Sequence, residues 1–189
     1  MTDPAPLTLL NDEGDRLARH LTQTLHITEH QLTRTTLIGR TLTYNLLQAF
    51  PPTLEQITRR AGHPLQAQLT TDDRGRALLH ITTPDGEERA RLPAEDLLHT
   101  LLYTHGRLHP TLHTHLQDAL TGDEHHATRA LVAALRSKPV MDAMNRELQK
   151  LMAQTSGPPR LSRGHRIGKV RGPAPDQPGP GHVMRFRSD

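Results

Sequence analysis

Residues 65–92, LQAQLTTDDRGRALLHITTPDGEERARL, decide the fold class of this chain. Two segments in this stretch, Asp72-Asp73-Arg74-Gly75 and Pro84-Asp85-Gly86, are strong turn sequences. They separate three short runs whose composition and length are typical of extended strands, namely 65–71, 76–83 and 87–92. The stretch therefore predicts a three-stranded antiparallel β-meander.

The chain on either side of the meander carries leucines at helical spacing. Before it, a first helix is predicted after residues 11–15, and a second is predicted to begin at a Thr28/Gln31 capping box. The second helix is expected to run to Phe50 and to stop at Pro51-Pro52, with a short third helix over 53–62. After the meander, four further helices are predicted over 93–106, 110–122, 123–135 and 137–152. The chain is thus expected to be α+β, mainly helical around one small sheet.

Positive charge is concentrated at the carboxyl end of the chain. Residues 157–189 hold seven cations against two acids, a net charge of +5, whereas residues 1–156 hold 16 cations against 18 acids, a net charge of −2. The same 33 residues contain six prolines and six glycines and few large apolar side chains, so they cannot bury enough surface to offset the entropy of ordering them. We therefore expect one helical and β-meander domain over 1–156 and a disordered basic tail over 157–189.

A flexible cationic tail favours a polyanionic partner, because each cation placed on a phosphate releases condensed counterions. We expect a non-enzymatic nucleic-acid-binding protein that lacks sequence specificity and favours DNA, single-stranded or damaged, over RNA. Phe186 offers a face on which a base could stack. The residues predicted to contact nucleic acid are Arg160, Arg163, Arg166, Lys169, Arg171, Arg185, Phe186 and Arg187 in the tail, and Arg59 and Arg60 in the body.

The overall composition is small, cysteine-free, rich in Arg, His, Thr and Leu, and ends in a basic Pro/Gly tail. In these respects the chain resembles accessory DNA-damage-response proteins of radiation-resistant bacteria. The resemblance is compositional and transfers no residue assignments. It implies single-stranded or broken DNA as the ligand and a role in DNA repair.

Two alternative functions rest on short motifs. Arg107 and His113 form an R-x5-H pair that resembles the motif of HEPN ribonucleases, in which arginine and histidine converge at a dimer interface to cleave RNA. Residues 53–62 resemble the first helix of a helix-turn-helix, which would make the chain an atypical winged-helix regulator. In that case Gln56, Arg59 and Arg60 would face the DNA and residues 72–75 would form the wing.

Other candidate sites carry little signal. Seven of the 14 histidines fall between His99 and His126, and His109 with His113 has a four-residue spacing that suits a metal on one helix face, but no further ligand has a fixed spacing to the pair. The chain has no cysteine, no Gly-rich phosphate loop and no nucleophile motif, so we predict no enzyme activity and no cofactor.

Location and assembly follow from equally simple features. No stretch approaches the roughly 20 apolar residues of a membrane span, and the amino terminus lacks a signal-peptide pattern, so we expect a cytoplasmic protein that is nucleoid-associated if DNA is its ligand. The exposed edges of a three-stranded sheet favour a homodimer.

Overall fold

The meander predicted from residues 65–92 is present in the computed structural model, which describes residues 6–155. Its strands are β1 (Gln66–Thr71), β2 (Ala77–Thr82) and β3 (Glu88–Pro93), antiparallel in the order β1-β2-β3. Both predicted turns are confirmed, and each uses a glycine with positive φ, +72° at Gly75 and +91° at Gly86. The side chains of Ala77, Leu79 and Ile81 on the central strand are buried, which places one face of the sheet against helices.

Six α-helices surround the sheet within the described residues, which confirms the α+β class. Two precede it and four follow it: α1 (Pro6–Thr24), α2 (Leu32–Arg60), α3 (Ala94–Leu102), α4 (Pro110–Thr121), α5 (Glu124–Leu135) and α6 (Lys138–Thr155). Helix α1 packs along α2, α4 packs on α5 and α3 packs on α6, while α2 also contacts β1. The buried apolar side chains in the described residues are aliphatic apart from Met144 and the rings of Phe50 and Tyr103.

Glycine allows α1 and α2 to approach each other closely. A Cβ atom built on Gly39 of α2 would lie 2.5 Å from the carbonyl oxygen of Gly14 and 2.9 Å from the Cβ of Ala18, both on α1. One built on Gly14 would lie 2.6 Å from the Cα of Arg40. These distances leave no room for a side chain, so the two glycines set the separation of the helices.

Helix α2 does not stop at Pro51-Pro52, and the prediction of a separate helix over 53–62 was wrong. The helix continues to Arg60 with both prolines inside it. Phe50 and Leu54, one turn apart across the prolines, are both completely buried, and burying this continuous stripe outweighs the cost of about 3 kcal/mol per interior proline. Thr53, the residue at which the separate helix was predicted to begin, instead lies inside α2 and donates its hydroxyl to the carbonyl oxygen of Ala49 at 2.6 Å.

The predicted starts of the first two helices also needed correction. Helix α1 begins at Pro6, before residues 11–15, because Leu9 and Leu10 extend its buried stripe. The Thr28/Gln31 pair does interact, since the backbone N–H of Thr28 donates to Oε1 of Gln31 at 3.4 Å. It caps a short 3-10 helix (Glu29–Gln31), and α2 begins directly after it.

The segment after α3 forms a hairpin that the helical pattern over 93–106 did not predict. Two short strands, β4 (Tyr103–Thr104) and β5 (Arg107–Leu108), pair antiparallel across His105-Gly106. Both turn residues have positive φ, +52° and +72°, as a two-residue turn of the mirror-image type requires. The remaining helix starts are confirmed, and Asp123 caps α5 by accepting a hydrogen bond from the N–H of His126 at 2.7 Å.

None of the helices in the described part of the chain is long and apolar enough to cross a membrane. The predicted tail and its boundary at residue 156 lie outside the described residues.

Candidate nucleic-acid interface

Three arginines from two separate elements line one open depression on the described surface. Arg16 and Arg19 lie one turn apart on α1, beside His20, and Arg76 directly precedes β2. Glu95, in the first turn of α3, completes the lining of this depression, whose volume is about 350 Å³. We call these five residues the arginine depression.

Glu95 contacts two other side chains of the depression. Its carboxylate forms an ion pair with Nη2 of Arg76, and its other oxygen lies 3.6 Å from Nε2 of His20. The Glu95 side chain is one-third exposed, as is that of Arg76, and the His20 side chain is more so. The pair is therefore partly solvated, and Glu95 has room to move away from Arg76.

The buried side chain of Glu13 holds Arg16 of the depression. Its side chain is only 2% exposed, and its Oε1 accepts hydrogen bonds from Nη1 of Arg16 at 2.5 Å and from the backbone N–H of Ala77 at 3.3 Å. Its Oε2 is buried without a partner among the described residues. Because Glu13 joins α1 to β2, it fixes Arg16 of α1 beside Arg76, the residue next to Ala77.

A smaller cavity adjoins the depression and shares two of its residues. Its volume is about 10 Å³, which is about the space of a single water molecule. It is lined by Glu13, Leu17, His20, Glu95, Leu98 and His99. A group larger than water cannot pass through it to the buried Glu13 carboxylate without displacing these side chains.

A stack of rings supports the histidine of the depression. The rings of His20 and His99 meet edge to face with centroids 5.2 Å apart, and His99 stacks on Tyr103 at 4.4 Å and 9°. Burial lowers the pKa of His99, with a further lowering by His20 that Asp96 partly opposes. Burial raises the pKa of Tyr103, against the effect of its hydrogen bond with Thr24. The protonated form of His99 is thus disfavoured beside the arginines of the depression.

A bidentate ion pair joins α1 to α2 next to the depression. Arg40 donates from Nε and Nη2 to the two carboxylate oxygens of Asp15 at 2.7 and 3.0 Å. The hydrogen bond from Arg40 holds the pKa of Asp15 below its usual range, although desolvation opposes this shift. The Nε–Nη2 edge of the Arg40 guanidinium is engaged in this pair, whereas Arg19 donates a long 3.4 Å bond from its Nε to the carbonyl oxygen of Asp15.

The body residues predicted to bind nucleic acid, Arg59 and Arg60, lie elsewhere. Both are exposed in the last turn of α2, Arg59 forms an ion pair with Glu55, and neither lines the depression. Gln56 is exposed one turn before Arg60. The helix-turn-helix that would use these residues lacks a separate first helix, because 53–60 continues α2, and β1 follows where a recognition helix would stand.

The predicted tail contacts lie outside the described residues. They are Arg160, Arg163, Arg166, Lys169, Arg171, Arg185, Phe186 and Arg187.

The residues of the ribonuclease hypothesis occupy two different elements. Arg107 is exposed on β5, and His113 is partly buried near the start of α4. His109 is the N-cap of α4 and only 8% exposed, with Nδ1 3.2 Å from Oγ1 of Thr104 and Nε2 buried without a partner among the described residues. Burial lowers the pKa of His109, and the charge of Arg146 lowers it further.

No group of three or more His, Asp or Glu side chains within residues 6–155 is placed to hold a metal ion. In this part of the chain, His109 and His113 therefore have no third side chain beside them that could complete a metal site.

The arginine depression was missed at the level of sequence. One signal was available, since Arg16, Arg19 and His20 follow an i, i+3, i+4 spacing that places them on one helix face. Arg76 and Glu95 are 56 and more residues away along the chain, and only folding brings them to that face.

Comparison with known proteins adds no family to this picture. No family model, curated protein or solved structure matches the chain at a significant level.

Proposed function

We propose that this protein binds nucleic acid without sequence specificity, with single-stranded or damaged DNA as the favoured ligand. The observation that carries the proposal is the convergence of Arg16, Arg19 and Arg76 on one open depression. Guanidinium groups present planar forks of donors that match phosphate oxygens, and phosphate contacts do not depend on base sequence. A role in DNA repair extends the proposal and follows from the compositional resemblance, and a nucleoid-associated location follows if DNA is the ligand.

The charge balance of the body supports a local binding surface rather than a general one. Residues 1–156 carry a net charge of −2, so the body as a whole does not attract a polyanion. The depression holds three arginines against Glu95 and the buried Glu13. It is therefore a positive site on an almost neutral body, and the cationic tail adds a second, longer-range attraction.

The proposal is tested by fluorescence anisotropy of the full chain with single-stranded DNA, duplex DNA and RNA at several salt concentrations. The variant Arg16→Gln/Arg19→Gln/Arg76→Gln should weaken binding. It should also reduce the magnitude of the slope of log K against log salt by about 2, because each neutralised phosphate on a single strand contributes roughly 0.7. A control variant, Arg129→Gln/Lys138→Gln/Lys150→Gln, removes the same charge from exposed sites on α5 and α6. Equal losses in the two variants would show that the depression is not a binding surface.

We also propose that the protein acts as a homodimer that pairs through β1. Within the described sheet, β1 and β3 each pair only with β2, so each leaves one edge open. The β3 edge carries Glu88, Arg89 and Arg91, and charges of this kind discourage edge pairing. Strand β1, QAQLTT, has no charged residue and no proline, which leaves it able to pair with a second copy.

Light scattering of the full chain should give a dimer at micromolar concentration. Gln66→Lys/Gln68→Lys places two charges on the exposed part of β1 and should shift the protein to a monomer, while Gln149→Lys/Gln154→Lys on α6 should not. A parent protein that scatters as a monomer would refute the dimer and would also remove the composite active site that a HEPN-like ribonuclease needs.

A further inference from the structure

We propose that a pocket between α2, α5 and α6 binds a small organic molecule that has an apolar body and one carboxylate group. The volume of this pocket is about 300 Å³, at the lower end of the range for small-ligand sites, about 300 to 1,000 Å³. The inference does not depend on the proposed nucleic-acid binding, because the pocket shares no residue with the arginine depression.

The packing of the helices leaves this space open. Helix α5 packs mainly on α4 and α6 packs mainly on α3, so neither of them fills the space beside α2. The connection between α5 and α6 is only two residues long, Arg136-Ser137, and the buried hydroxyl of Ser137 donates to the carbonyl oxygen of Ala134 at 2.8 Å. This short, hydrogen-bonded connection holds the end of α5 and the start of α6 on either side of the pocket.

The walls of the pocket are mainly apolar. Leu46 of α2 and Val140 and Met144 of α6 line it and are buried in the core. Val132 and Met141 also line it, yet they are 44% and 47% exposed. A ligand with an apolar body would remove the surface of these two side chains from water, which is favourable and needs no directional contact.

The pocket is compact and does not continue as a long groove. It covers residues 132–136 of α5 and 140–145 of α6, which is about 6–8 Å of each helix from a rise of about 1.5 Å per residue. A helix bound in a groove uses apolar anchors from i to i+7 and therefore needs a groove of about 10 Å or more. The dimensions of the pocket thus favour a small molecule over a helix of a protein partner.

The polar groups at the pocket favour an anion with a single charge. Among the described residues that line it, Arg136 is the one charged residue, and its side chain has no ion pair or hydrogen bond with any residue in this part of the chain. The neighbouring pair of Lys138 with Asp142, 2.5 Å apart, balances its own charge and does not line the pocket. The side-chain amide of Asn145 adds a second donor.

A carboxylate fits this arrangement better than a phosphate does. A guanidinium group can donate two parallel hydrogen bonds to a carboxylate, and the single charges of the two groups balance. Apolar walls make a more highly charged and more strongly hydrated group costly to bury. The ligand class is therefore a small apolar carboxylic acid in its ionised form.

Calorimetric titration of the full chain tests the ligand class with octanoate, 1-octanol, octylammonium and acetate as probes. Octanoate should bind about tenfold more tightly than 1-octanol, which has a similar apolar body but no charge, because charge-assisted hydrogen bonds contribute an effect of this size. Octylammonium should bind more weakly than 1-octanol because its charge repels Arg136. Acetate should also bind more weakly, because it lacks the apolar body.

Methionine methyl signals in NMR spectra show where the probe binds. Octanoate should shift the signals of Met141 and Met144, which line the pocket. It should leave the signal of Met152 unchanged, since this residue of the same helix does not line the pocket.

Two pairs of matched variants assign the binding to the pocket. Ala49→Leu fills the pocket from the exposed face of α2 and should abolish binding of octanoate, whereas Gln48→Leu, at the adjacent exposed position outside the pocket, should bind it like the parent. Arg136→Gln should weaken octanoate about tenfold and leave 1-octanol unchanged, while Arg129→Gln, which removes an exposed charge two turns earlier on α5, should change neither. Melting temperatures of the four variants show whether any loss comes from unfolding.

The contrary outcomes are equally specific. Absence of octanoate binding up to about 10 mM would refute the inference. Equal affinities for octanoate and 1-octanol would refute the carboxylate, and binding that persists in Ala49→Leu would place the ligand elsewhere and refute the pocket. If Ala49→Leu changes the mass measured by light scattering and octanoate does not bind, a second copy of the chain covers this surface and the inference is wrong.

Discussion

The arginine depression and the carboxyl end of α2 both present arginines to solvent, but they are built in different ways. Arg59 and Arg60 are neighbours on one helix, and Glu55 of the same helix pairs with Arg59. In the depression, Arg16 and Arg76 lie in different parts of the chain, and the buried Glu13 carboxylate that pairs with Arg16 also accepts a hydrogen bond from the N–H of Ala77, the residue after Arg76. The first cluster needs only a helix, whereas the second needs the packed core, so the two should respond differently to the same kind of change.

The contribution of the tail must be removed first. Its cations are expected to dominate the affinity for nucleic acid and so to mask the smaller contributions of the two arginine clusters. Replacing Arg160, Arg163, Arg166, Lys169 and Arg171 with Ala should give the largest effect. If four to six tail cations contact a single strand, they contribute about −3 to −4 to the slope of log K against log salt, from roughly −0.7 per phosphate, and most of this contribution should be lost. A variant that binds as tightly as the parent at low salt would show that the body is the main binding surface.

The contact of α1 with α2 is the next most sensitive feature. Gly39→Ala places a methyl group against the Gly14 carbonyl and Ala18, and the overpacking should cost about 1–3 kcal/mol of unfolding free energy despite the better helix propensity of Ala. It should also misplace Arg16 and Arg19 relative to Arg76 and lower DNA affinity. Urea unfolding measures the first effect. Gln48→Ala, on the exposed face of α2, is the control and should change stability by less than about 0.5 kcal/mol.

Two Glu–Arg pairs sharpen the comparison directly. Glu13→Ala removes the acceptor of the buried N–H of Ala77 and of the partly exposed Arg16 guanidinium, and should cost about 1–3 kcal/mol, chiefly from the unpaired N–H. Glu55→Ala removes an exposed pair within one helix turn and should cost less than about 0.5 kcal/mol. Equal losses in thermal or urea unfolding would mean that Glu13 does not fix α1 to β2.

The smallest effect is expected from the pH dependence of the Asp15–Arg40 pair. The folded-state pKa of Asp15 is lowered, so its ionised form contributes stability above the unfolded pKa of about 3.9, and this contribution is lost as pH falls through the folded pKa. Asp15→Asn should therefore melt below the parent at neutral pH, and the two curves should converge in acid. In an Arg40→Gln background, Asp15→Asn should leave the melting temperature unchanged at every pH, and a change that remains would assign the stability to another partner of Asp15.

Local features of the fold were predictable where local chemistry decides them. The meander is predictable because its two connections contain residues that strongly favour turns. Gly75 and Gly86 adopt the positive φ values that these turns require. The α5 cap at Asp123 is likewise an interaction between residues three positions apart. Long-range packing overrode local signals elsewhere. Pro51-Pro52 is a strong helix stop, yet Phe50 and Leu54 bury one stripe across it and keep α2 continuous.

The candidate site divides in the same way. The sequence by itself determined the α+β class, the meander, the charge asymmetry of the chain and the exposed arginines at the end of α2. The last two depend on composition and helix spacing alone. The arginine depression depends on the tertiary structure, because Gly14 and Gly39 bring α1 against α2 while the buried Glu13 ties α1 to β2 beside Arg76. No local rule relates residues 13, 76 and 95 along the chain. Burial of the shared core brings them together, because the hydrophobic effect acts between residues that are far apart in the sequence.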